Sequence, residues 1–237
     1  MLFGRDLHCN RSPLIMPLSP KYKLFIFDFD GTLADTLDDI AGCMGKTFVH
    51  FGEPAPSIPA VRAVMSGPLE MSLQQLRGKQ CPPKEVAEWV RFYRSIYNGE
   101  RERRTRLFPG AHDLLEQVAA GGIQSLVVSN KGSVAVETEL SRLGIRGRIG
   151  GIFAADAVAY PKPDSRLYHE VIKFAFPSFE DQDVLVIGDT EVDLRFAKNA
   201  GVPCCWAAYG YGQREECLGL NPDITIESLS ELLSVLV

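Results

Sequence analysis

After Phe108-Pro109-Gly110 the chain alternates short apolar runs with stretches whose apolar residues recur every three or four positions. The short runs suit buried strands, and the periodic stretches predict helices, several of which end at glycines such as Gly144 and Gly201. Strict alternation of this kind favours right-handed crossovers and a parallel sheet covered by helices on both faces. We expect strands at 125–129, 152–154, 184–187 and 203–207, and helices at 111–120, at 133–143, after a cap at Asp164, and before Gly201.

One more apolar run, Leu24–Phe27, comes earlier and ends in acidic residues, as a buried strand would. From Asp35 onward the period becomes helical and stays so, with no convincing strand before about residue 105. The sequence therefore predicts an α/β core, residues 21–36 and 106–237, that is interrupted by an all-helical insert, residues 37–105. We expect hinges near 35–38 and 103–108.

Composition excludes several classes of protein. A net charge of −5 gives no basic surface for nucleic acid or an anionic membrane. No apolar run approaches the roughly 20 residues that span a bilayer. The amino terminus shows no apolar segment with a small-residue cleavage site, so we expect no secretory signal. Residues 1–20 contain three prolines and no periodicity, so we expect a disordered extension, with Met16 as the natural start. The six scattered cysteines form no CxxC pair, which favours reduced thiols in a cytoplasmic protein.

Polar residues follow the predicted strands at the points where the strands end. In parallel α/β sheets, chemistry takes place at the carboxyl ends of the strands. Four carboxylates, one lysine and one hydroxyl should therefore share a crevice, namely Asp28 and Asp30 after the first strand, Ser129 after the second, Lys162 after the third, and Asp189 and Asp193 after the fourth.

Clustered carboxylates repel one another and require a cation. Oxygen ligands select a hard ion, and Mg²⁺ is the one we expect. With Mg²⁺ and Lys162 present, the crevice suits a dianion such as a phosphoryl group, and aspartate is a known phosphoryl acceptor. Gly31 permits close approach of the backbone to such a group.

Four segments of the chain resemble, in order and spacing, the motifs of the haloacid dehalogenase superfamily. They are Asp28-Phe29-Asp30-Gly31-Thr32, Ser129, Lys162 between two prolines, and Gly188-Asp189 with Asp193. The resemblance covers about residues 22–235 and implies a Rossmann-like parallel-sheet core with an inserted small helical cap. Residues 28–38, 188–201 and 209–212 are most similar to the phosphoglycolate phosphatase branch.

The resemblance also implies a role for each residue. Asp28 would be the nucleophile and form an aspartyl-phosphate, and Asp30 would protonate the leaving alcohol and then activate water. Ser129 and Lys162 would hold the phosphoryl oxygens, with Asn130 as a further candidate. Mg²⁺ would be bound by Asp28, the main-chain carbonyl of Asp30 and Asp189, assisted by Asp193 through water or by orientation of its neighbours.

The substrate implied is a small phosphorylated metabolite, and the cap would select it. Arg62–Gly67 resembles the cap segment that faces the active site in related phosphatases, so we expect Arg62 to contact a substrate carboxylate.

Other activities remain open at this stage. Asp30 disfavours dehalogenation, because a halide leaves without a proton whereas an alkoxide needs one. Sugar phosphomutases keep both acids and stay an alternative. A phosphate-sensing receiver module also combines strand-end acids, Mg²⁺, a hydroxyl and a lysine, but such modules are much shorter and lack a helical insert.

Overall fold

The computed structural model describes residues 21–100 and 102–236, the side chains of 235 and 236 excepted. The expected extension at 1–20, with the start at Met16, lies outside the described residues. Six strands form one parallel sheet in the order β5-β4-β1-β6-β7-β8, and two short strands, β2 and β3, pair antiparallel beside it. The strands are β1 (Leu24–Phe27), β2 (Ala34–Asp35), β3 (Arg106–Leu107), β4 (Gln124–Ser129), β5 (Gly151–Ala154), β6 (Val184–Gly188), β7 (Cys204–Ala207) and β8 (Ile224–Ile226).

Ten α-helices connect these strands in the described residues. They are α1 (Leu37–His50), α2 (Ile58–Arg62), α3 (Leu69–Arg77), α4 (Pro83–Gly99), α5 (Ala111–Ala120), α6 (Ser133–Arg142), α7 (Lys173–Ala175), α8 (Glu191–Ala200), α9 (Arg214–Gly219) and α10 (Leu229–Leu232). Shorter helical turns occur at Arg146–Arg148, Leu167–Ile172, Asp181–Asp183 and Leu233–Leu236. None of the helices described is both long and apolar enough to cross a membrane.

Alternate residues of each strand point to opposite faces of the sheet and build two separate cores. Phe25 and Phe27 of β1 belong to one core, packed under α5, α6 and α10. Leu24 and Ile26 belong to the other, packed under the segment from 167 to 172 and α8. The buried strands are apolar on both sides because both sides are covered, which is typical of a parallel sheet.

The insert has a third core of its own. Helices α1 to α4 all lie between β2 and β3, and residues such as Met44, Phe48, Trp89 and Tyr93 pack together within them. At its base, Ala34 pairs with Leu107 and Asp35 with Arg106. The two chain segments that enter and leave the insert are thereby hydrogen-bonded to each other.

The fold class predicted from the sequence is confirmed: an α/β protein with a parallel sheet and an inserted set of helices. The sequence did not reveal β8, because a strand of three residues at the sheet edge gives too short a pattern. The helical segment predicted to follow a cap at Asp164 is present, but its first part is a π-helix rather than an α-helix. The carboxylate of Asp164 accepts from the Arg166 N–H, and a π-helical turn begins only at Leu167.

We predict that Leu185→Ala lowers the free energy of unfolding by about 2–5 kcal/mol, because a fully buried leucine leaves a cavity when it is truncated. The matched control is Leu218→Ala on α9, where the side chain is 44% exposed. That change should cost less than about 1 kcal/mol. Urea unfolding followed by circular dichroism measures both, and equal losses in the two variants would contradict the described packing.

Candidate active site

The carboxyl ends of β1, β4 and β6 lie side by side at the middle of the sheet. Strand β1 pairs with β4 on one side and with β6 on the other, and the chain order reverses at this point. Open α/β sheets bind ligands in the crevice that such a reversal creates. The structure places Asp28 after β1, Ser129 at the end of β4 and Asp189 after β6, as the sequence indicated.

A buried lysine joins two of the acids. The Lys162 ammonium lies 2.9 Å from Asp28 Oδ1 and 2.5 Å from Asp193 Oδ1. The other oxygen of Asp193 accepts from the main-chain N–H and the hydroxyl of Thr190, at 3.1 and 2.8 Å. Both oxygens of Asp193 are therefore held by the protein, which suits the orienting role predicted for it.

Asp189 is fully buried and has no basic partner among the hydrogen bonds and ion pairs of the described residues. Its carboxylate accepts from the Thr32 hydroxyl at 2.9 Å and from the Tyr211 N–H at 2.7 Å. Gly31 makes this placement possible: its φ is +87°, and an added Cβ would lie 2.2 Å from Asp189 Oδ2. Only glycine satisfies both conditions at this position.

Burial and neighbouring negative charges raise the pKa values of two acids at the site. Burial raises the pKa of Asp28 to about 7, opposed by Lys162 and reinforced by Asp193 and Asp30. Burial, with the charges of Asp193 and Asp28, raises the pKa of Asp189 well above its ordinary range. Burial alone lowers the pKa of Lys162, but the two acids it contacts outweigh burial and raise that pKa.

The residues present fit a divalent cation. Asp28, Asp189 and Asp193 each offer a carboxylate oxygen, and these atoms lie within 4.8 Å of one another. All are hard oxygen donors, and Lys162 alone does not neutralise three carboxylates. Burial and the neighbouring acids raise the pKa values of Asp28 and Asp189, and a cation beside them would offset the repulsion between the acids.

Asp30 is held by a residue that the sequence analysis had left without a role. The Lys131 ammonium donates to Asp30 Oδ1 at 2.8 Å, and both side chains are nearly buried. Lys131 also lies over the Tyr97 ring of α4, 4.5 Å from its centroid. The sequence offered one indication that Lys131 belongs to the site, namely its position two residues after Ser129 at the end of β4.

Ser129 and Asn130 occupy the end of β4 in different ways. Ser129 lines the crevice, and its oxygen accepts from the Lys131 N–H at 3.2 Å. Asn130 Nδ2 donates to the carbonyls of Ser66 and Lys162, at 2.9 and 3.1 Å. Asn130 therefore connects the insert to the lysine loop, and its contact with phosphate remains a prediction.

Arg62 makes a contact that the sequence did not indicate. Its guanidinium donates to the carbonyls of Tyr211 and Gly210, at 3.1 and 3.0 Å, so it joins α2 of the insert to the loop after β7. Arg62 is not among the residues that line the crevice. Its predicted contact with a substrate carboxylate remains a prediction.

Tyr211 connects the acid cluster to the base of the insert. Its main-chain N–H binds Asp189, while its hydroxyl donates to Asp35 Oδ1 at 2.7 Å. The same hydroxyl accepts from the main-chain N–H groups of Thr36 and Leu37, at 2.7 and 3.1 Å. The loop from 209 to 212 thus contacts both the acid cluster and the predicted hinge near 35–38.

A doubly wound sheet that collects acids and a buried lysine at its reversal point is the architecture of a phosphoryl-handling hydrolase. Residues 25–207 match the family profile of haloacid dehalogenase-like hydrolases. The match spans most of the chain, and the chain belongs to that family.

Its relatives are phosphatases. A phosphoglycolate phosphatase of Agrobacterium fabrum is 29% identical over 223 residues, covering 93% of each chain. A phosphoglycolate phosphatase of Vibrio parahaemolyticus is 28% identical over 219 residues, which are 90% of this chain and 95% of the relative. The solved structure of a predicted phosphoglycolate phosphatase from Haemophilus somnus superposes with a TM-score of 0.82 at 23% identity, covering 92% of this chain and 99% of that one. The relatives place this chain among the phosphoric monoester hydrolases of the family.

We predict that Mg²⁺ raises the melting temperature more at about pH 8 than at about pH 5. Without metal, folded Asp28 keeps its proton up to a pKa of about 7, against an ordinary value of 3.8. Because the pKa of Asp28 is higher in the folded protein, the folded state loses stability as the pH rises from 3.8 to about 7. A cation bound at Asp28 would remove that loss.

Differential scanning calorimetry of EDTA-treated protein, with and without Mg²⁺, measures the effect. Asp189→Asn removes one negative charge at nearly constant shape and should reduce both the pH dependence and the response to Mg²⁺. A Mg²⁺ response in the variant as large as in the unaltered protein would place the cation elsewhere.

Proposed function

We propose that this protein is a Mg²⁺-dependent phosphatase that hydrolyses a phosphomonoester through a phosphorylated Asp28. The observation that carries the proposal is the buried contact of Lys162 with Asp28 and Asp193, beside an uncompensated Asp189. This arrangement pairs an anionic nucleophile with fixed positive charge on which a phosphoryl dianion can lie. Phosphatase relatives that match nearly the whole chain support the same conclusion.

In the first step an oxygen of Asp28 attacks phosphorus, and the bond from phosphorus to the ester oxygen breaks. Lys162 and the Ser129 hydroxyl bind the equatorial oxygens, and Lys162 offsets the charge on Asp28 as the dianion approaches. Asp28, Asp189 and the main-chain carbonyl of Asp30 would hold Mg²⁺, with Asp193 as an orienting neighbour. When bound, Mg²⁺ neutralises charge on the phosphoryl group.

Asp30 would supply a proton to the departing alkoxide. It would then take a proton from the water that attacks the aspartyl-phosphate, which releases inorganic phosphate and restores Asp28. The contact with Lys131 fixes the direction in which the Asp30 carboxyl points, and thus makes Lys131 a positioning residue.

The free cysteines bear on the cellular compartment in which the protein acts. The five cysteines in the described residues are all free, consistent with a reducing compartment, and we propose a cytoplasmic protein that acts on a small phosphorylated metabolite. A sugar phosphomutase and a non-catalytic phosphate sensor remain the competing functions, because both use a phosphorylated aspartate.

We predict that Asp28→Asn abolishes release of phosphate from a panel of small phosphomonoesters, because an amide cannot act as the nucleophile. Acid quenching of the unaltered enzyme during turnover should give a peptide that carries one phosphoryl group on Asp28. Asp113→Asn on α5 is the control, since its side chain is 78% exposed. Phosphorylation of Asp28 without release of phosphate would favour the mutase or the sensor.

Asp30→Asn should lower kcat/KM for an alkyl phosphate by about 10²–10⁴. Hydrolysis of 4-nitrophenyl phosphate should fall much less, because nitrophenolate leaves without a proton. Steady-state kinetics with both esters, in the unaltered enzyme and the variant, give the two ratios. An equal loss with both esters would rule out Asp30 as the general acid.

A further inference from the structure

A cavity of about 430 Å³ lies between the insert and the strand-end loops of the core. It shares Asp30, Asn130 and Lys131 with the narrow crevice that contains Asp28 and Lys162. An ester whose phosphoryl group lies in the crevice must therefore extend its alcohol past Asp30 into this cavity. Pockets for small-molecule ligands have volumes of roughly 300–1,000 Å³, so the space exceeds what a two-carbon alcohol needs.

The walls of the cavity are mainly apolar. They come from all four helices of the insert, with further contributions from the loop after α2 and from α6. Six of these side chains are Ile40, Met44, Val61, Met65, Leu69 and Tyr93. Apolar walls favour an alcohol with a hydrophobic face, because its burial removes apolar surface from water.

The charged groups of the wall disfavour an anionic alcohol. The lining contains three carboxylates, Asp30, Glu70 and Asp156, and two basic groups, Arg94 and Lys131. Lys131 is paired with Asp30 at 2.8 Å, and Arg94 lies 3.7 Å from both Glu70 and Asp156. A second carboxylate on the substrate would enter a wall of net negative charge whose basic groups already have partners.

Two buried polar atoms on residues that line the cavity lack a hydrogen-bond partner among the described residues. The Tyr97 hydroxyl and Asn130 Oδ1 make no hydrogen bond with the described residues, although both side chains line the cavity and are more than nine-tenths buried. Buried polar atoms are normally satisfied, so these two are suited to a ligand that brings its own neutral polar group.

We propose that the alcohol part of the substrate is an uncharged, ring-sized group with an apolar face, and that this cavity binds it. The proposal rests on the phosphatase function proposed above and concerns only what the phosphoryl group is attached to. The proposed substrate differs from phosphoglycolate, for which several relatives are named. The alcohol part of phosphoglycolate is small and carries a carboxylate.

Benzyl phosphate and 4-carboxybenzyl phosphate test the proposal directly, because they have the same reacting bond and nearly the same size. We expect kcat/KM for benzyl phosphate to exceed that for the carboxylated ester by about tenfold or more, since the extra charge is buried without a partner. Phosphoglycolate should also be hydrolysed less efficiently than benzyl phosphate. Acetyl phosphate reports on the phosphoryl site alone.

Two variants and one control test whether the cavity causes the preference. Ala135→Leu adds three carbons to its wall and should lower kcat/KM for benzyl phosphate about tenfold while leaving acetyl phosphate within about twofold. Thr138→Leu adds bulk to an exposed position on the same helix and should change neither value. Glu70→Gln frees Arg94 from one acid and should raise the relative rate of the carboxylated ester several-fold.

The outcomes separate the two proposals. A higher kcat/KM for the carboxylated ester or for phosphoglycolate, with acetyl phosphate hydrolysed normally, would overturn the neutral alcohol and leave the phosphatase intact. Equal slowing of acetyl phosphate and benzyl phosphate by Ala135→Leu would show that the cavity does not bind the alcohol. No hydrolysis of any ester would overturn both proposals.

Discussion

Four carboxylates lie at or just beyond the ends of two neighbouring strands, and within the described residues two ammonium groups lie beside them. Lys131 and Lys162 each occupy one side of the group, and Asp189 is left with neutral donors. Such an arrangement is unfavourable for a buried site on its own, since removing charges from water is costly unless they are compensated. The fold maintains it because β1 and β6 are fixed by the sheet, and a divalent cation would supply the two positive charges that four carboxylates and two ammonium groups lack.

The backbone around the acids is adapted to their proximity. Gly31 and Gly210 both lie against Asp189, and an added Cβ at Gly210 would come within 2.3 Å of it. The Trp206 indole N–H donates to the Asp189 carbonyl at 2.8 Å and fixes the main chain at the end of β6. Hydrogen bonds from neighbouring segments thus hold Asp189 in a position that electrostatic repulsion alone would disfavour.

The sheet and the group of acids were both predictable from sequence, because strand periodicity is local and parallel strands end at the same edge. The partners of those acids were not. Lys131 forms a hydrogen bond with Asp30, which lies 101 positions away in the sequence, and Arg62 forms one with Gly210, which lies 148 positions away. No local pattern encodes such distances. The π-helical turn at Leu167 escaped detection for another reason, since its apolar spacing is close to that of an ordinary helix.

Tyr211 has one consequence for how the site works. Its N–H holds an acid of the cluster, its hydroxyl holds the start of α1, and its carbonyl is held by Arg62 of the insert. A swing of the insert away from the core must break the bonds of Arg62 and strain those to the hinge, which moves the donor that fixes Asp189. If the acids bind a cation as proposed, closure and metal affinity would be thermodynamically linked: an occupied cation site would favour the closed insert, and closure would tighten the cation site to the same extent.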